Sequence, residues 1–255
     1  MGFFDLLTPA LLWVDDGLAD FLSTSWRLLF WSLVSALISV FIFKKFSQTE
    51  QIATLKNEIK STQKALNDHE GEFSELKTLA KRSIVLSLKR MKLTFLPALL
   101  SAVPVVFILV FLSHRYDFIE PMPGTMVAYD SVVEGENLSD QLSWTNTTTD
   151  QVTGEYFWPE KDQQVQVSAE DGTVLINMSD TPVSIVHKKQ WWNVLFANPA
   201  GYISAEASVE EIHFEHQQQS PGLLFEKFFS SWVWPYFLST LFFSVLLIVV
   251  FKVRF

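Results

Sequence analysis

Three long apolar runs divide this chain, and the charges between them are sorted by sign. Residues 44–92 carry 11 Lys/Arg against 6 Asp/Glu, whereas residues 114–231 carry 5 against 18. Residues 1–27 hold Arg27 against Asp5, Asp15, Asp16 and Asp20, and the tail holds Lys252 and Arg254. The formal net charge of −9 therefore conceals one basic side and one acidic side. Lys and Arg are retained on the cytoplasmic face of a membrane, so the sorting predicts an orientation. The N-terminus lies outside, 44–92 inside, 114–231 outside and the C-terminus inside. With 49% hydrophobic residues, a wholly soluble chain is a poor reading.

The expected fold class is an α + β membrane protein with three transmembrane helices at 27–43, 93–113 and 230–251. The apolar run 28–43 rises only about 24 Å against a hydrocarbon core of roughly 30 Å, so the first helix should begin earlier. Lys44 and Lys45 stop the first span, Lys89, Arg90 and Lys92 precede the second, and Lys252 and Arg254 follow the third. Trp232, Trp234 and Tyr236 open the third span, as aromatics do at an interface. Residues 1–26 hold two short apolar stretches broken by Asp15-Asp16-Gly17 and read as an amphipathic helix on the outer leaflet, with a frayed terminus as the alternative. The start, Met1-Gly2-Phe3-Phe4-Asp5, lacks a basic n-region and is not read as a cleaved signal.

Residues 44–92 read as a cytoplasmic antiparallel coiled-coil hairpin. Ile52, Leu55, Ile59, Thr62 and Leu66 step by 3 and 4, and Phe73, Leu76, Ala80, Ser83 and Ser87 continue the seam after a reversal near Gly71. Residues 120–220 read as an extracytoplasmic all-β, sandwich-like domain. Strands are expected at 125–133, 155–158, 164–169, 173–178, 183–187 and 209–216, with Asp171-Gly172 as a hairpin turn. A short helix is expected at 191–196, and linkers at 120–124 and 217–222. Trp191, Trp192, Phe196 and Tyr202 belong either to the core or to a contact with the outer leaflet.

No catalytic motif appears, and the chain reads as non-enzymatic, with no cofactor and no metal. It has no Cys, which excludes thiolate chemistry. His213 and His216, three apart in a strand, face opposite ways and make a poor metal pair. Asn137, Asn146 and Asn177 begin sequon tripeptides, which arise easily in Asn/Ser/Thr-rich strands.

The polar residues within the spans are hydroxyls. Ser32, Ser35 and Ser39 share one face of the first helix; Ser101 lies in the second, with Pro97 and Pro104; Ser239, Thr240 and Ser244 lie in the third. Small hydroxyl residues let helices approach closely and hydrogen-bond across them. The functional alternative is a mildly polar groove open towards the cytoplasm. Arg27, at the edge of the first span, either snorkels to phosphates or caps the Ser stripe from outside.

This order of parts resembles the YidC/Oxa/Alb superfamily of membrane insertases, in particular its compact three-span members with a coiled-coil hairpin. The resemblance covers roughly 20–115 and 226–255 and is topological, with a β domain inserted between the second and third spans. It implies that a client segment enters a hydrophilic groove, lined by Arg27 and the Ser/Thr residues above, and leaves sideways into lipid. It also implies contact of the hairpin with ribosomes or nascent membrane proteins through Lys56, Lys60, Lys64, Lys77, Lys81 and Arg82. Those residues suit ribosomal RNA or anionic headgroups equally, and need be no more than a solvated face. No DNA partner is expected. The expected location is a bacterial inner membrane, with the lipid bilayer itself as a partner. A structural subunit of an envelope complex, binding other subunits through the hairpin and the β domain, is the rival reading. A sensor passing a signal from the β domain to the hairpin is a third.

Overall fold

The computed structural model describes residues 2–133, 136–137, 142–145, 155–160, 165–169, 174–178, 181–207, 209–222 and 224–251. It contains three helices long and apolar enough to cross a membrane, which marks an integral membrane protein. A 3-10 turn at Phe3–Asp5 leads into α1 (Thr8–Ala19) and α2 (Thr24–Phe46). Then follow α3 (Thr49–Asn67) and α4 (Phe73–Tyr116). Among the described residues eight strands come next: β1 (Met126–Val133), β2 (Glu136–Asn137), β3 (Leu142–Thr145), β4 (Glu155–Phe157), β5 (Val165–Ala169), β6 (Val174–Met178), β7 (Ile185–His187) and β8 (Glu211–Phe214). A 3-10 turn at Trp191–Val194 separates β7 from β8, and α5 (Val233–Val250) closes the chain.

The chain divides into two compact units. The first is Met1–Leu28 with Phe107–Pro235; the second is Leu29–Val106 with Tyr236–Phe255. The first unit carries the strands, all antiparallel. In one sheet the order is β2-β1-β8-β7, with β4 also on β1; in the other it is β3-β5-β6. All six expected strands form, each within two residues of its expected ends. The missed pair, β2 and β3, are two and four residues long, too short for a period-2 pattern to register. The Asp171-Gly172 turn lies outside the described residues. The larger sheet buries Val127, Tyr129, Val186, Ile212 and Phe214 against Ala200, Ile203, Ala207 and Val209 from the segment that joins β7 to β8. The expected linkers are tied down: Phe118 bridges Gln218, the Ile119 and Gln219 N–H groups donate to the Gln217 and Asp117 carbonyls, and the Gly124 N–H donates to the Trp158 carbonyl.

α2 begins at Thr24, so its 23 residues rise about 34 Å, enough to cross. Lys44 and Lys45 occupy its last turn, where cations complement the exposed carbonyls. α4 runs 44 residues, about 66 Å, and passes through Pro97 and Pro104 without a break. Each proline removes one backbone donor, a loss that membrane helices tolerate better than soluble ones. In the second unit α2 and α5 run parallel. Ser32 meets Tyr236 near their starts, Ala36 and Val40 pack with Leu247, and Lys44 lies over the Phe251 ring at 5.8 Å near their ends.

The seam of α3 is as expected over most of its length: Ile52, Leu55, Ile59 and Thr62 are buried. In α4 it shifts. Phe73 is 79% exposed and Ser87 is exposed, while Leu76, Ala80, Ser83, Leu86 and Arg90 form the less exposed file. The 3-4 spacing holds, but the step after Ser83 is three residues, which selects Leu86. A leucine gains more from burial than a serine does, so the apolar neighbour takes the inner position.

Candidate functional site

The strongest polar constellation lies in the first unit, around a carboxylate that the sequence marks only as a helix breaker. α1 runs straight through Asp15-Asp16-Gly17. Asp15 is fully buried and accepts from Arg27 Nη1 at 2.6 Å, Arg115 Nε at 3.2 Å and Tyr116 Oη at 2.7 Å. Arg115 reaches on through Nη2 to Asp16 at 2.9 Å. The Arg27 guanidinium also sits 5.4 Å above the Tyr116 ring. Two arginines and two aspartates thus meet with balanced charge. A buried ion is tolerable only when paired and hydrogen-bonded, and Asp15 has three donors. Arg27 is 8% exposed, with its guanidinium turned onto Asp15 of α1.

A cleft of about 610 Å³ adjoins this hub, lined by Thr8, Arg27, His114, Arg115, Glu120 and Gln219 among others. A smaller one, about 270 Å³, shares His114 and Phe118 and extends past Asp117, His187, Trp192 and Asn193. The helix ends around them are fastened by polar bonds. Trp232 Nε1 donates to Asp117 at 2.6 Å, and Ser25 Oγ donates to the Pro221 carbonyl at 3.0 Å. His216 is enclosed by the rings of Phe118, Trp158 and Phe214, and neither ring nitrogen has a hydrogen-bond partner. Burial pushes its pKa down to about 4, so the ring is neutral in the fold. His213 pairs instead with Glu211 at 3.2 Å. Among the described residues no group of three acidic or histidine side chains could hold a metal.

The hydroxyl stripe lies in the second unit. Ser32 and Ser35 are fully buried and both meet Tyr236. Ser32 Oγ donates to its carbonyl at 3.3 Å, and Ser35 Oγ lies 2.8 Å from its phenol oxygen. Ser101 is buried and donates to the Ala98 carbonyl of its own helix at 2.8 Å. Ser39, Ser239, Thr240 and Ser244 are half-buried. The structure therefore brings Ser32 and Ser35 together with a residue that had been read only as an interfacial aromatic. Lys56, Lys60, Lys64, Lys77, Lys81 and Arg82 are all exposed. None of them has a carboxylate partner within salt-bridge distance among the described residues.

Asp15, Arg115, Tyr116 and Tyr236 were missed as site residues. The available signal was the acidic pair Asp15-Asp16 between two apolar stretches in a segment with no Lys or Arg before Arg27, which needs a distant cation if the helix packs. Comparison of the chain with protein-family models, curated proteins and solved structures finds no match.

Proposed function

We propose that this protein is an insertase-like membrane protein, of the YidC/Oxa/Alb type, that assists insertion or folding of other membrane proteins. In this reading α3 and the first part of α4 form a cytoplasmic coiled-coil hairpin, and the strands form an extracytoplasmic β domain. The observation that carries it is the graded polarity along the parallel pair α2 and α5. Near their starts the hydroxyls are consumed by Tyr236 or, at Thr240, buried, whereas Ser39 and Ser244, towards Lys44, stay part-exposed. A polar client segment would thus meet hydroxyls only in the cytoplasmic half and lipid beyond it. The free basic face of the hairpin supports contact with ribosomes or incoming chains.

Photo-crosslinkers at Ser39 and Ser244 should capture ribosome-stalled membrane-protein segments, while the same probe at Ser32 should not. Capture of lipid alone at every position, across several clients, would remove the proposal. A second reading, a scaffold subunit of an envelope complex, is favoured by the burial of Ser32 and Ser35, which is how static helix packing uses small hydroxyls. Subunits co-purifying at fixed stoichiometry in mild detergent would favour it over the insertase.

A further inference from the structure

α1 is inside out for a helix on a soluble surface. It turns Asp15 inward and leaves Ala10, Trp13 and Gly17 exposed along one face at spacings of 3 and 4, with Leu6 and Phe21 exposed just beyond its two ends. Of these, Leu6 is 65%, Trp13 80% and Phe21 85% exposed. Burying an ion while exposing a tryptophan is unfavourable in water, because each group gains from the opposite placement. The arrangement becomes favourable where the outer face meets hydrocarbon.

A second apolar element meets the start of this one from 190 residues away. The Phe4 N–H donates to the Leu195 carbonyl at 2.9 Å, and the Phe4 and Phe196 rings stack at 5.1 Å. The Asp5 carboxylate accepts from the Gly2 and Ala197 N–H groups, both at 2.8 Å. The backbones approach so closely that a Cβ on Gly2 would lie 2.6 Å from Ala197 N. On this joined element Phe3, Leu7, Trp191, Val194 and Leu195 remain exposed, Trp191 at 83%. Trp191 is therefore not core.

The level of this patch is set by Phe107 of α4, whose ring lies 5.4 Å from Phe3 and 5.0 Å from Phe4. Phe107 stands five residues before Leu112, the last apolar residue ahead of Ser113-His114-Arg115. That puts it about 7–8 Å inside the end of the span. We propose that α1 and the turn at 191–195 form one foot seated in the interfacial layer of the bilayer, holding the strand-bearing unit against the lipid surface. Its occupant is lipid, because the patch is continuous with the face of a membrane-crossing helix. Trp and Tyr favour that layer, and α1 has no Lys or Arg to seek anionic headgroups, so zwitterionic lipid suffices.

The foot needs α4 to cross the bilayer, but not the insertase activity. The chain has no cysteine, so a single substitution gives a unique labelling site. Full-length W191C, L195C and L7C carry an environment-sensitive fluorophore in phosphatidylcholine vesicles, with E206C as an aqueous control and V245C as a control within the span. The labels at 191, 195 and 7 should lose roughly half or more of their emission to a nitroxide placed shallow in the lipid, and little to aqueous iodide. The 206 label should do the reverse. Quenching of the three by iodide would overturn the foot, and so would protection from both quenchers, which would signify a protein cover. Failure of V245C to be quenched by deep nitroxide would overturn the membrane reading with it, whereas crosslinking at Ser39 tests the insertase separately.

Discussion

The two units solve the same problem, polar atoms between packed elements, in opposite ways. In the first, Asp15 gathers two arginines and a tyrosine, and removing one member leaves a buried charge alone. In the second, Ser32 and Ser35 share Tyr236, and removing one member leaves a neutral hydroxyl that can turn towards its own helix. Charged clusters therefore lock a geometry, while hydroxyl contacts only favour it. The neutral His216, with no hydrogen-bond partner on its ring nitrogens, shows a second solution in the first unit, suppression of the charge.

The sharpest way to break this contrast is Asp15→Ala. Leaving Arg27 buried without its carboxylate should cost about 3–5 kcal/mol, read as a lowered unfolding midpoint in detergent. Converting the whole set to apolar residues, Asp15→Leu with Arg27→Met, Arg115→Met and Tyr116→Phe, should recover much of that loss. If Asp15→Ala alone is neutral, the hub does not hold the unit together.

His216 tests the suppressed charge. Its folded pKa of about 4 lies below the ordinary 6.5, so the unfolded chain takes up a proton that the fold refuses as pH falls. Stability should be full above about pH 6.5 and decline as the pH falls towards 4. His216→Phe should remove that slope in a pH series of denaturation curves; an unchanged slope would assign it to other groups.

Smaller effects belong to the second unit. Leu86→Ala should destabilise by about 1–2 kcal/mol, scaled for partial burial, while Ser87→Ala should be within about 0.5 kcal/mol of neutral. The reverse order would restore the seam position expected from sequence. Tyr236→Phe, which removes the phenol's contacts with Ser35 and Thr240, should cost about 0.6 kcal/mol and at most about 1.7 per hydrogen bond lost. A loss as large as that of Asp15→Ala would erase the distinction between the units.

Hydropathy and charge alone were enough to place three membrane-length helices and a strand-rich segment after the second, because both are local sums along the chain. The strand positions followed from short-range alternation, and most of the α3 seam from a 3-4 repeat. Those patterns report which face of an element is apolar, but not what will lie against it. Asp15 looked like a break because local rules assign a carboxylate to solvent. Only the fold, by bringing Tyr116 to it across 101 residues, supplied the donors that let it be buried. The Ser stripe was visible, but its partner was not: Tyr236 lies 201 residues from Ser35. Likewise Trp191 reads as core or as a contact with the outer leaflet until Phe4 docks on the segment that follows it and the ring is left exposed. Distant partners are chosen by the path of the whole chain and by which buried polar atoms remain unsatisfied, and neither quantity can be computed from a window of sequence.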